Sequence, residues 1–155
     1  MPSTSTLPLF ASVLTVDLGF TSEEESFRQE VRTWLDANLP QAWRQDGKGG
    51  YRDEEDTGLQ REWQRKLYDG GWLKLGWPQE VGGRGATPVM QAIYQEEMAK
   101  AGAPGILGRL GVTLLAPTLV AHGSEWQKNA YVEKILSGEL IFCQGFSEPD
   151  AGSDL

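Results

Sequence analysis

Residues 140–155 read Leu140-Ile141-Phe142-Cys143-Gln144-Gly145-Phe146-Ser147-Glu148-Pro149-Asp150-Ala151-Gly152-Ser153-Asp154-Leu155, and the rest of the chain leads to them. The first half is a short apolar run rich in aromatic and branched residues, the pattern of a buried strand. The second half breaks into a turn of Pro, Asp and Gly. A strand feeding such a turn can hold a ligand. Backbone N–H and C=O groups of Gln144, Gly145, Phe146 and Ser147 would stand at fixed spacing, matched to the amide-like edge of a planar heterocycle. Gly145 keeps one face uncrowded and Ser147 adds a hydroxyl. Gly152 and Ser153 offer backbone N–H groups and a second hydroxyl to a phosphate. The competing reading is a corner whose Ser and Asp only cap backbone groups.

Two motifs bear on that choice. Phe146-Ser147-Glu148-Pro149-Asp150-Ala151-Gly152-Ser153-Asp154-Leu155 resembles the signature that opens the middle domain of flavin-dependent acyl-CoA dehydrogenases. Gly76-Trp77-Pro78-Gln79-Glu80-Val81-Gly82-Gly83-Arg84-Gly85 resembles a second hallmark of that family, at the matching distance upstream. The resemblance implies a division into a flexible extension (1–20), a helical N-terminal domain (21–139) and the start of a middle β-domain (140–155). It implies FAD as cofactor, with Gln144, Gly145, Phe146 and Ser147 along the flavin's pyrimidine edge. Ser147 would bond the ring, and Gly152 and Ser153 would lie near flavin and coenzyme A phosphates. It also places the loop at 80–85 beside the flavin and acyl region as a support.

Upstream, the chain is expected to be all-α, a helical bundle that ends in one strand. Thr21 and Glu24 form a capping box, and Phe27, Val31, Trp34, Leu35 and Leu39 recur at helical spacing until Pro40, which predicts a helix over about 22–38. Glu23-Glu24-Glu25 in its first turn complements the helix dipole. The segment from Asp46 to Asp56 is polar, Gly-rich and acidic. It lacks the Gly-Lys-Ser/Thr ending of a phosphate loop and reads as a solvated connector. A second helix is expected over about 59–69, with Leu59, Trp63 and Leu67 inward. Trp72 to Pro78 is too irregular for a helix, and Trp72 and Trp77 read as core anchors.

Thr87 and Pro88 start a third helix, ending near Lys100, with Val89, Ile93, Tyr94, Glu97 and Met98 on one stripe. Glu97 on that stripe is either a buried acid or one snorkelling at its edge, and the lack of an evident partner in the sequence favours the edge. Gly105 to Gly123 is apolar all round, the mark of a buried helix, with Pro117 kinking it or starting a new turn. The resemblance sets this helix beneath the acyl-chain cavity, making Leu110, Leu114 and Leu115 candidates for contact with the acyl group. Core packing is the competing role, and the favoured one for most of these three leucines. His122 suits a helix C-terminus better than catalysis. Ser124 and Gln127 form another capping box, opening a helix with Ala130, Tyr131, Ile135, Leu136 and the stem of Lys134 inward until Gly138.

Composition narrows the functional classes. Fourteen Lys and Arg against 22 Asp and Glu give a formal charge of -8, which disfavours nucleic acid and anionic membrane surfaces as partners. Cys143 and His122 are the single cysteine and histidine, too few for a disulfide framework or a transition-metal cluster. Residues 1–16 carry no Lys or Arg and read as a mobile extension rather than a leader, and no apolar segment nears the roughly 20 residues that span a bilayer. A cytoplasmic protein is expected.

The resemblance further implies the reaction: a carboxylate removes the α-proton of an acyl-CoA thioester, a hydride leaves the β-carbon for the flavin, and a trans-2-enoyl-CoA results. The family's catalytic glutamate lies in a C-terminal helical domain, so no catalytic residue is assigned here, and Glu148 reads as fixing its turn. Expected partners are acyl-CoA, electron-transfer flavoprotein or a similar acceptor, and further copies or a complementing subunit in a dimer or tetramer. Leu155 has no local sign of a natural terminus. The remaining alternatives are an acyl-CoA oxidase or flavin monooxygenase of the same fold, and a non-catalytic helical interaction fragment. The strand edge and uncovered apolar faces predict self-association of the chain on its own.

Overall fold

The computed structural model describes residues 19–44, 57–145 and 147. The expected N-terminal extension up to residue 18, the connector at 45–56, and Phe146, Glu148, Gly152 and Ser153 lie outside the described residues.

Helix α1 spans Ser22–Asn38 and starts where the capping box sets it: Glu24 N–H donates to Thr21 Oγ1, and Thr21 N–H donates to the Glu24 carboxylate at 2.7 Å. It ends at Leu39, whose backbone is extended as the residue before Pro40 must be. A single turn, α2 (Gln41–Arg44), follows and places Trp43 in the core. Helix α3 (Thr57–Asp69) buries Trp63 and Leu67 but leaves Leu59 exposed, contrary to the expectation from spacing. Short 3₁₀ turns at Trp72–Lys74 and Gln79–Val81 lead to α4 (Pro88–Lys100), capped by Thr87, whose hydroxyl accepts from Met90 N–H. Val89 of α4 faces solvent, also against expectation.

The apolar segment after Gly105 differs most from its sequence reading. It is a π turn at Gly111–Leu115 running into α5 (Ala116–His122), and only Gly111, Val112 and Ala116 are buried. Proline at 117 has no N–H and its ring crowds the carbonyl one turn back. The wider turn, closed by Ala116 N–H donating to Gly111 C=O, accommodates both. Helix α6 (Glu125–Leu136) opens on the Ser124–Gln127 capping box and buries Ile135 and Leu136, while Lys134 stays exposed. No strand forms among the described residues, and Ile141 to Gly145 make no backbone hydrogen bond to another described residue. A strand exists only through a ladder partner, and none is present there.

Two apolar clusters organise the bundle. The larger joins α1, α2, α3 and α4 through Val31, Leu35, Trp43, Trp63, Leu67 and Ile93, and Trp72 stacks on Tyr94 with ring centres 5.4 Å apart. The smaller joins the π turn, α5 and α6 through Val112, Ala116, Ile135 and Leu136, with Leu73 and Ile106 bordering both clusters. Gly111 makes the close approach possible, because a Cβ there would lie 3.1 Å from Ile135. Polar groups tie α3 to the end of α6: Gln64 Nε2 donates to the carbonyls of Ile135 and Leu136, both at 3.1 Å, and Arg61 donates to Gly138 C=O at 2.6 Å. These bonds satisfy C-terminal carbonyls that a helix leaves open.

Glu97 corrects its sequence reading outright. It is 4% exposed and lies between α4 and α1, where Arg28 Nη1 donates to it at 2.6 Å and Arg32 Nε at 2.7 Å. Lys100 stands 3.4 Å away, and Arg28 also holds Glu96 at 2.7 Å. Hydrogen bonds from Arg32, opposed by burial and reinforced by Arg28, lower the Glu97 carboxyl to about 2. Its partners come from a helix some seventy residues upstream, beyond the reach of local pattern.

Candidate functional site

The π turn and α5 form one side of a groove of about 300 Å³, and the segment after α6 forms the other. Leu110, Leu114, Leu115 and Thr118 face Phe142, Cys143 and Gln144 across it. The groove therefore brings the acyl-contact candidates Leu110 and Leu114 beside the first residue of the expected flavin edge, Gln144. Leu110 is 41% and Leu114 52% exposed, so these leucines present apolar surface instead of filling the core. Phe142 anchors the far side by an edge-on contact with Tyr131, ring centres 6.2 Å apart.

Cys143 and Gln144 at the groove, and Gly145 and Ser147 beyond it, are exposed. A Cβ built on Gly145 would meet nothing within 4 Å, so that face is open as the sequence predicts. The backbone N–H and C=O groups of residues 141–145, which make no backbone hydrogen bond to another described residue, fit a planar group with donors and acceptors along its edge. The described residues are thus compatible with a flavin edge lying against them.

On the opposite side of the π turn lies a larger cavity of about 630 Å³ between α3, α4 and the segment 103–113, walled by Leu67, Trp72, Tyr94 and Met98, with Gln95 and Arg109 in its lining. A neighbouring cavity of about 360 Å³ shares Tyr94, Gln95 and Thr113 with it and adds Gly76, Trp77 and Pro117. Arg109 and Thr113 each precede one of the leucines picked out by sequence, and one residue is about 100° around a helix. The sequence reading reached the right segment but not these two residues. Gln95 and Met98 of α4 were also missed, though Met98 lies on the stripe that was read as core. Burial holds the Tyr94 phenol well above its usual range, so it remains a neutral hydroxyl.

The 76–85 loop supports this region mechanically. Gly85 N–H donates to Trp77 C=O and Ala86 N–H to Leu75 C=O, both at 2.9 Å, folding the loop back on itself. A Cβ on Gly83 would fall 2.1 Å from the Trp77 carbonyl oxygen, a contact that no side chain can occupy. Arg84 fastens the loop to the helices, its guanidinium 4.3 Å from the centre of a Trp72 ring and ion-paired with Glu30 of α1. His122 ends α5, away from these residues, as expected from sequence. The groove and both cavities have no carboxylate among their described lining residues. Among the described residues there is no helix long and apolar enough to cross a membrane, and no cluster of metal-ligating side chains.

A family model described as the acyl-CoA dehydrogenase N-terminal domain matches residues 21–139. Among curated proteins, the acyl-CoA dehydrogenase IpdE1 of Mycolicibacterium smegmatis is 42% identical over 135 residues, covering 86% of this chain and 34% of the relative. The mitochondrial isovaleryl-CoA dehydrogenase of Pongo abelii is 34% identical, covering 88% of this chain and 31% of the relative. Among solved structures, the ChsE4-ChsE5 complex from Mycobacterium tuberculosis superposes with a TM-score of 0.68 at 33% identity, covering 90% of this chain and 34% of that one. The Tcur3481-Tcur3483 steroid ACAD gives 0.68 at 35% identity, covering 90% and 35%. The chain spans about a third of the length of the curated relatives it matches.

Proposed function

This chain belongs to the acyl-CoA dehydrogenase family, and from that premise we propose that it is the N-terminal part of a flavin-dependent acyl-CoA dehydrogenase, supplying one wall of the acyl site and the first residues of the flavin site. The observation that carries the reading is the groove in which Leu110 and Leu114 face Phe142 and Gln144, because it sets an apolar chain path directly beside an open backbone edge.

The backbone of Gln144, Gly145 and Phe146 and the hydroxyl of Ser147 would hold the pyrimidine edge of FAD, with Gly152 and Ser153 toward the phosphates. Bound there, FAD supplies a two-electron acceptor for the hydride that leaves the β-carbon. The work of this chain is positional. Leu110, Leu114 and Leu115 hold the acyl chain and keep water from it, fixing the two C–H bonds that must break in alignment. Donors placed along the open backbone edge stabilise negative charge as it develops on the acceptor. The α-proton goes to a carboxylate outside the described residues, and the product is the trans-2-enoyl-CoA. Two of the similar solved structures are named as two-component assemblies, which supports assembly of this protein with like or complementing subunits. A cytoplasmic setting and an electron-transfer flavoprotein acceptor complete the proposal.

The test is turnover of acyl-CoA by the full-length, flavin-loaded protein with an artificial electron acceptor, with and without oxygen. Reduction of the acceptor with little oxygen consumption is expected, and Ser147→Ala should lower flavin occupancy or turnover. Oxygen consumption matching substrate loss without any acceptor would replace the dehydrogenase by an oxidase. Absence of flavin from the purified full-length protein would favour the non-catalytic interaction fragment.

A further inference from the structure

Residues 141–145 lead into the flavin edge, yet they make no backbone hydrogen bond to another described residue, and the last such tie upstream is Leu140 N–H donating to Lys134 C=O at 2.9 Å. With no ladder to hold this backbone, side chains decide where it lies. Ile141, Cys143, Gln144 and Gly145 are exposed, and Phe142 alone in the stretch is half-buried. Its ring packs on the smaller cluster of Val112, Ala116, Ile135 and Leu136. It stands edge-on to Tyr131, whose own ring meets Trp126 edge-on with centres 5.8 Å apart. Beneath it lies buried Gly111, where a Cβ would fall 3.5 Å from Phe142 Cβ as well as 3.1 Å from Ile135, so the missing side chain lets the segment settle directly on the π turn.

Only Cys143 separates Phe142 from Gln144, so a shift of the ring carries the edge with it. We propose that Phe142 is a positioning residue for the flavin: seated on Gly111 and braced by Tyr131, it sets where the backbone of Gln144, Gly145 and Phe146 and the hydroxyl of Ser147 meet the pyrimidine edge. It acts through that backbone and not by its own contact with the flavin. This rests on the acyl-CoA dehydrogenase reading and adds how the helical bundle fixes the flavin edge within it. A cofactor held along a backbone needs those donors and acceptors in place before it arrives. An unseated segment has to be ordered upon binding, and that cost is subtracted from the affinity. Phe142 also lines the groove, so one side chain borders the acyl path and fixes the flavin edge.

The experiment strips the full-length protein of flavin and titrates it with FAD alone, reading the quenching of flavin fluorescence, with a melting temperature measured for each variant. Because no thioester is present, the part Phe142 plays in the groove does not enter. Phe142→Ala should raise the FAD Kd about tenfold or more, and Phe142→Leu should recover part of that loss. Tyr131→Ala should act in the same direction, whereas Tyr131→Phe keeps the edge-on ring and should leave the Kd unchanged. Glu97→Gln, between α1 and α4, shows what a purely structural loss does: it should lower the melting temperature without moving the FAD Kd. A Kd that tracks melting temperature through all of these variants, Glu97→Gln included, would overturn the proposal, as would wild-type affinity in Phe142→Ala. Should Phe142→Ala not fold, the Tyr131 pair decides, and equal Kd values for Tyr131→Ala and Tyr131→Phe would overturn it. Failure of the wild type to take up FAD sinks the dehydrogenase reading itself, whereas equal uptake by wild type and Phe142→Ala sinks this inference alone.

Discussion

Replacing Glu97 by glutamine removes the charge on which Arg28 and Arg32 converge, leaving Arg28 buried at 5% exposure without its closest carboxylate. Breaking one side of a buried ion pair costs about 3 kcal/mol or more, so Glu97→Gln should lower the unfolding free energy at neutral pH by that order, read as a lower urea midpoint. The pH dependence has a definite sign. The carboxyl is lowered from 4.5 to about 2 in the folded protein, so its stabilisation is complete above 4.5 and lost as pH falls from there toward 2. Wild type should therefore weaken steeply across that window, and Glu97→Gln should show a flatter acid limb in urea titrations at pH 7, 4 and 3. Equal acid sensitivity in both proteins would contradict the assignment. Gly83 offers a steric counterpart: Gly83→Ala sets a methyl 2.1 Å from the Trp77 carbonyl oxygen and should cost about 1–3 kcal/mol in thermal or urea unfolding.

At the scale of elements, Gln64 is the joint between α3 and the C-terminus of α6. Gln64→Leu keeps the volume and strands the Ile135 and Leu136 carbonyls, for an expected loss of about 1–3 kcal/mol. Hydrogen exchange should quicken at Ser137 and Leu140, which donate to Glu133 and Lys134 carbonyls at that end, before it quickens in α1. Uniform acceleration across the bundle would contradict the joint. What sequence could reveal about these elements follows from locality. Capping residues act within four positions, so Thr21, Thr87 and Ser124 fixed the starts of α1, α4 and α6 correctly. Trp43 was missed because α2 is one turn long and has no periodicity to show. Glu97 was misread because its partners on α1 are distant in sequence. The apolar segment at 105–123 was taken as buried all round because its leucines outnumber its polar residues, whereas the π turn at Gly111–Leu115 rotates Leu110 and Leu114 outward. Of the proposed flavin edge, the open face at Gly145 was legible. The strand itself was not, since a ladder needs a partner that the neighbouring residues do not contain.

For the molecule as a whole, apolar surface is concentrated where the groove opens. Leu110, Leu114 and Ile141 are exposed there, and Trp126 at the start of α6 is 68% exposed. A patch of this kind on an isolated chain favours association, so the 155-residue chain on its own should sediment as more than a monomer at micromolar concentration. A monomer that unfolds cooperatively would contradict that expectation. The central claim is that this chain walls an acyl-CoA site beside a flavin, and it is tested most directly by anaerobic titration of the full-length flavin-loaded protein with an acyl-CoA. The account predicts loss of the oxidised flavin absorbance band upon substrate addition, weakened by Ser147→Ala. A flavin band that stays unchanged at saturating thioester, with binding independently confirmed by calorimetry, would contradict it.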